Sequence, residues 1–178
     1  SVPPKDSSRK YVEFIAIGDA GTGAFGQRLT AEAMRKKAAH DSISFVLYLG
    51  DNFYEFGVRS ADDPQWQEKF ELMYTSPSLN VPFYAVLGNH DYRQNPQAQV
   101  EYSRKTTRWN MPDRFYTFIR DIDASTSAQF FCLDTQPMAY LSSNDLSTGK
   151  DSAKYTPQLR WIEKKLSESS ARWKIVLG

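Results

Sequence analysis

Three apolar runs in the sequence end in the same way. Ile15-Ala16-Ile17 meets Gly18-Asp19, Leu47-Tyr48-Leu49 meets Gly50-Asp51-Asn52, and Ala85-Val86-Leu87 meets Gly88-Asn89-His90-Asp91. In open α/β sheets, ligands bind just past the carboxyl ends of the strands, and glycine lets the backbone turn tightly there. Parallel neighbours would therefore bring Asp19, Asp51 and Asn89 to one rim. Carboxylate and amide oxygens suit hard cations such as Mg, Mn or Fe, and a carboxylate has two oxygens with which to bridge two ions. Two ions roughly 3.5–4 Å apart can clamp the attacking and leaving oxygens of a phosphoryl transfer. Neutral Asn89 would ligate without adding charge beside an anionic substrate. A single Gly-Asp pair after a strand is an ordinary turn. Its recurrence, ending in Gly-Asn-His-Asp, is what argues for a site.

Histidine is scarce, with only His40 and His90. An imidazole of ordinary pKa suits His90 to acid–base work, its alternative being a structural histidine. Asp91, next in sequence, is a carboxylate that could orient it. His40 ends a helical pattern, where a cation is favoured, and reads as a surface residue. Tyr54 lies three residues beyond Asp51, close enough to share an ion from the same loop. On residue type alone it reads as a packing aromatic rather than a ligand.

The elements that must position these residues follow from periodicity. Apolar runs at Val12–Ile17, Ser44–Leu49, Phe83–Leu87, Gln129–Leu133 and Trp173–Leu177 predict buried strands, with an additional strand at Tyr116–Arg120. Helical spacing predicts helices over Gln27–Ala39, Pro64–Tyr74 and Gln97–Thr106, and one starting at Thr156-Pro157. The alternation argues for an α/β layered domain with much parallel pairing. The 178 residues suit one domain, and the 40% hydrophobic and 14% aromatic content is enough for a sizeable core. A net charge of +1 gives no reason to expect a nucleic-acid or membrane partner. No apolar run approaches the roughly 20 residues of a membrane helix. Residues 1–10 are polar and proline-bearing and read as a disordered leader without signal-peptide character. Cys132, the single cysteine, lies in an apolar run and reads as a buried core thiol.

These blocks carry a family resemblance. Gly18-Asp19-Ala20-Gly21, Gly50-Asp51-Asn52-Phe53-Tyr54 and Gly88-Asn89-His90-Asp91 resemble the first metallophosphoesterase blocks of the purple acid phosphatases of the small, tartrate-resistant type. The likeness extends through Gly57-Val58, Val81-Pro82, Arg108-Trp109-Asn110-Met111-Pro112 and Leu133-Asp134-Thr135. It implies a layered metallophosphoesterase β-sandwich flanked by helices. It implies an acid phosphatase that hydrolyses phosphate monoesters with a metal-bound hydroxide at a dinuclear centre of Fe(III) and a divalent ion, Fe, Zn or Mn. Asp19, Asp51 and Tyr54 would hold the ferric ion with Asp51 bridging, Asn89 the divalent ion, and His90 would meet the phosphate or the leaving group. A small phosphate ester or a phosphoprotein would be the substrate, in a secreted or lumenal setting. The family's later histidine blocks are not in this sequence. Residues 11–178 therefore read as the N-terminal part of a domain of roughly 300 residues, with its C-terminal fragment as a possible partner.

Three other readings stand beside this one. A non-catalytic scaffold of the same fold would explain the missing histidines, and a phosphodiesterase or nucleotide phosphatase would share the ligand set. Gly21-Thr22-Gly23-Ala24-Phe25-Gly26 also matches G-x-G-x-x-G, although Gly18-Asp19-Ala20 separates it from its strand and would put a carboxylate beside a pyrophosphate. Finally, Ser142–Lys154 is polar and reads as a long exposed loop, with Lys150 and Lys154 as protease sites. The resemblance implies that such a loop restrains activity until it is cut.

Overall fold

The computed structural model describes residues 10–139 and 152–178. Its first sheet is wholly parallel, in the order β1 (Phe14–Ile17), β2 (Phe45–Leu49), β3 (Phe83–Val86) and β4 (Trp109–Asn110). The second pairs β5 (Tyr116–Asp121) antiparallel with β6 (Ser127–Cys132), and β6 parallel with β7 (Trp173–Leu177). The longer helices are α1 (Phe25–His40), α2 (Gln97–Tyr102) and α3 (Ser152–Glu168).

Side-chain alternation along β2 sets the layers, because successive residues of a strand face opposite ways. Phe45 and Leu47 meet Ala128 and Phe130 of the second sheet, with Phe118, Ile175 and Leu177 beside them. The two sheets thus pack face to face. Val46 and Tyr48 face the other way, into a core shared with Met34 and Ala38 of α1 and with Phe53, Trp66, Phe70 and Trp109. The layers run helix, sheet, sheet. Phe45 is the centre of the inter-sheet contact, with ring centroids 5.1 Å from Phe14, 5.3 Å from Phe130 and 5.6 Å from Phe118. Phe45→Ala is expected to destabilise the domain by about 3–5 kcal/mol, read from chemical denaturation. A loss below about 1 kcal/mol would show that the sheets do not pack there.

The expected strands are all present, but two are not buried. In β1 and β7 exposed and half-buried residues alternate, because β1 is the edge of the first sheet and β7 of the second among the described residues. The segment Pro64–Tyr74 is not a regular α-helix. It contains a wide π-helical turn at Gln67–Glu71, closed by Leu72 N–H donating to the Gln67 carbonyl at 2.9 Å. The wide turn puts Trp66, Phe70 and Tyr74 all in the core and lets the Lys69 ammonium reach the Tyr54 carbonyl. α2 stops at Tyr102, short of Thr106, where the chain passes into turns. α3 begins at Ser152 rather than Thr156. Pro157 therefore lies inside it, where it forfeits the bond its N–H would make to the Ala153 carbonyl and its ring crowds that carbonyl. Lys154 thus belongs to a helix and not to an exposed loop, while Ser142–Asp151, including Lys150, and residues 1–9 lie outside the described residues.

Candidate metal centre

The candidate ligands occupy the turns that leave β1, β2 and β3. Asp19 and Asp51 both sit in the left-handed backbone region, with φ of 55° and 50°. Aspartate tolerates that region better than most residues, and such strain gathers at functional sites. The turns are stitched by backbone: Asp19 N–H donates to the Gly50 carbonyl at 3.1 Å, and Gly21 N–H to the Asp51 carbonyl at 3.2 Å. Tyr54 N–H returns to the Gly21 carbonyl at 2.9 Å. A Cβ on Gly21 would stand 2.1 Å from the Asn52 carbonyl oxygen, and one on Gly88 2.2 Å from the Asp51 amide. Glycine is therefore required where these turns stack.

This stitching corrects the dinucleotide alternative. Gly21 is committed to the Asp51 turn, and Gly23 N–H donates to Gln27 Oε1 at 2.6 Å. Those two glycine amides are turned to protein and not toward a pyrophosphate.

Three side-chain oxygens converge. The Tyr54 hydroxyl donates to Asp19 Oδ1 at 2.7 Å and lies 2.8 Å from Asp51 Oδ2. Among the described residues no lysine or arginine pairs with either carboxylate. Burial first, and then the carboxylates that take its proton, hold the Tyr54 phenol above the ordinary tyrosine range. Such a set fits a cation that displaces the phenolic proton and neutralises both carboxylates. Among the described residues no group of three or more His, Cys, Asp or Glu could hold a metal. The set here has two carboxylates, with a phenol and an amide completing it. The Asn89 amide is exposed and makes no hydrogen bond among the described residues. It is carried on the same turn, since Gly88 packs on Asp51 and His90 N–H donates to Asp51 Oδ1 at 2.9 Å.

His90 lies against Tyr54, with ring centroids 4.4 Å apart. Asp91 does not orient it. The Nδ1 of His90 is 2.7 Å from the Glu55 carbonyl oxygen, so that nitrogen carries the proton and Nε2 is left for chemistry. Asp91, next in the chain, points the other way and is fully buried. Its carboxylate accepts from the amides of Gly88 at 2.9 Å and of Asn52 and Phe53 at 3.1 Å. Burial pushes it up to about 6 against the pull of these donors. No residue pattern signals the Glu55 carbonyl, because a backbone acceptor has no residue type. His40 is a surface residue beside Asp41, and Cys132 is a buried thiol that burial raises to about 12. The Arg108 and Asp134 motifs are structural. Arg108 pairs with Glu71 at 2.8 Å, and Asp134 exchanges backbone bonds with the Gln158 amide.

A face-to-face sandwich with acidic turns at the strand ends defines a phosphoesterase scaffold of the metal-dependent kind. The chain belongs to the calcineurin-like phosphoesterase family, whose model matches residues 12–178. Purple acid phosphatase 4 of Arabidopsis thaliana is 39% identical over 94% of this chain and 51% of its own length. Tartrate-resistant acid phosphatase type 5 of Sus scrofa is 36% identical over 94% of this chain and 53% of its own. That of Homo sapiens is 34% identical over 97% and 57%. The chain thus spans about half the length of the curated relatives it matches. Among solved structures, GAP50, the anchor in the inner membrane complex of Plasmodium, superposes with a TM-score of 0.75 at 25% identity, over 94% of this chain and 54% of that one.

Proposed function

We propose that the protein containing this chain is an acid phosphatase that hydrolyses phosphate monoesters at a dinuclear centre of Fe(III) and a divalent ion, Fe, Zn or Mn. The observation that carries the reading is the Tyr54 hydroxyl held between Asp19 and Asp51 with no cationic side chain among the described residues paired to either carboxylate. Relatives that are acid phosphatases support it. Asp19, Asp51 and Tyr54 would hold the ferric ion and Asn89 the divalent one. Such a pair, when bound, acidifies water and neutralises phosphoryl oxygens. The chain's own contribution is to hold these donors on stacked turns and to tie His90 Nδ1 to the Glu55 carbonyl, so that Nε2, when it carries the second proton of the imidazolium, can serve a leaving group. The later histidine ligands of this reading would have to be supplied by residues outside this chain, which spans about half the length of its curated relatives. Small phosphate esters or phosphoproteins are the substrates of this reading, in a secreted or lumenal setting. Among the described residues no helix is long and apolar enough to cross a membrane.

The test is colour. A tyrosinate on Fe(III) absorbs visible light, so the iron-loaded protein should be coloured, and Tyr54→Phe should lose the band while retaining its fold by circular dichroism. A band that survives in that variant would remove Tyr54 as the chromophoric ligand. A second reading, a non-catalytic anchor, is favoured by the solved anchor protein of the same fold. It predicts a folded full-length protein that binds no iron and hydrolyses no ester.

A further inference from the structure

Beneath the ligand turns lies a buried polar chain that none of the roles above uses. Gln99, on α2, is wholly buried, as Ala98, Val100 and Tyr102 of the same helix are buried. Its Nε2 donates to Asp91 Oδ1 at 2.8 Å, and its Oε1 accepts from Asn52 Nδ2 at 2.9 Å. Asn52 Nδ2 also donates to the Val86 carbonyl at 2.8 Å. The Gln99 backbone carbonyl is itself held by Trp109 Nε1 at 3.0 Å. Neither amide can be turned around. A carboxylate and a carbonyl only accept, so the Gln99 NH2 must face Asp91 and the Asn52 NH2 must face Val86, leaving Gln99 Oε1 for Asn52. The order of donors is fixed from one ligand turn to the other.

We propose that Gln99 is a positioning residue that sets the separation of the two turns carrying Asp51 with Tyr54 and Asn89 with His90. One arm of its amide grips Asn52, next to Asp51. The other grips Asp91, whose oxygens hold the Gly88, Asn52 and Phe53 amides together. No other side chain among the described residues bonds to both Asn52 and Asp91. Gln99 would thus act on the metal centre without touching it. Groups of this kind commonly alter metal affinity or activity by about 10–100-fold when removed. The inference rests on the metal-centre reading for its consequence, but not for its geometry.

Two measurements on the full-length protein keep these apart. In metal-free protein, Gln99→Leu is expected to speed hydrogen exchange at the Gly88, Asn52 and Phe53 amides by at least about tenfold, while amides of β2 and β6 keep their protection. In protein loaded with Fe(III) and Zn(II), the same variant should weaken retention of the metals by about 10–100-fold in a chelator competition. Gln99→Asn, too short to span both partners, should do the same if the leucine variant fails to fold. Unchanged exchange at those amides would overturn the proposal whether or not metal binds. Faster exchange with metal retention within twofold of wild type would also overturn it, leaving a purely structural residue. A wild type that shows the protected amides but takes up no metal would sink the phosphatase reading and leave the brace standing.

Discussion

Asp51→Asn is expected to cost the full-length protein at least about a thousandfold in kcat/KM on a phosphate monoester, which is about 4 kcal/mol of transition-state stabilisation. Asp51 ties the turns of the site together. One carboxylate oxygen lies 2.8 Å from the Tyr54 hydroxyl, the other accepts the His90 amide at 2.9 Å, and Gly88 packs directly on its backbone. Asparagine has nearly the same shape and still offers one oxygen to the His90 amide, so the fold should survive. What it removes is a charge and the second oxygen, the two properties a bridging ligand needs. The iron content of the purified variant should fall with the activity. A variant that keeps both its metal and its rate would show that Asp51 only braces the turns. Asp19→Asn makes a useful comparison, because Asp19 is exposed and among the described residues its carboxylate accepts one hydrogen bond, from Tyr54. Its loss should be the smaller of the two.

The meeting of the Asp19 and Asp51 turns is legible in the sequence because a parallel sheet leaves few places for a strand-end residue to go, whereas Tyr54 as their partner comes only from the family resemblance. The repeated glycine marked where turns would stack, and the contacts of Gly21 and Gly88 show why no larger residue fits. The supporting layer was not readable in this way. Gln99 lies in a short helix with ordinary composition, and nothing in a sequence distinguishes a buried amide from a solvated one except the apolar neighbours on its face. Adjacency misled for Asp91, which turns inward while His90 turns to the cleft, so the Glu55 carbonyl does the orienting. The half-exposed character of β1 and β7 was also hidden, since an edge strand and a central strand can share one composition. Likewise, Thr156-Pro157 carries a good helix-start signal, yet α3 extends to Ser152 and carries Pro157 in its interior despite the bond and the space the ring costs there.

His90→Ala is the variant that separates chemistry from binding. The Glu55 carbonyl accepts from Nδ1 at 2.7 Å and cannot donate, so the ring meets substrate through Nε2 alone. If Nε2 delivers a proton to the departing oxygen, its loss should matter in proportion to how badly that oxygen needs one. On an alkyl phosphate the rate should fall by about 10²–10⁴-fold, the usual worth of a positioned acid. On a nitrophenyl phosphate, whose leaving group departs as a stable anion, the loss should be under about tenfold. If His90 instead binds the phosphoryl oxygens, both esters share those oxygens and should lose the same factor. Glu55→Ala supplies the control. It removes the side chain, whose carboxylate is 3.9 Å from Nδ1, but keeps the backbone carbonyl that holds the tautomer. That variant should remain within a few-fold of wild type on both esters. A loss there as large as in His90→Ala would mean that the carboxylate of Glu55, rather than its carbonyl, sets the state of the ring.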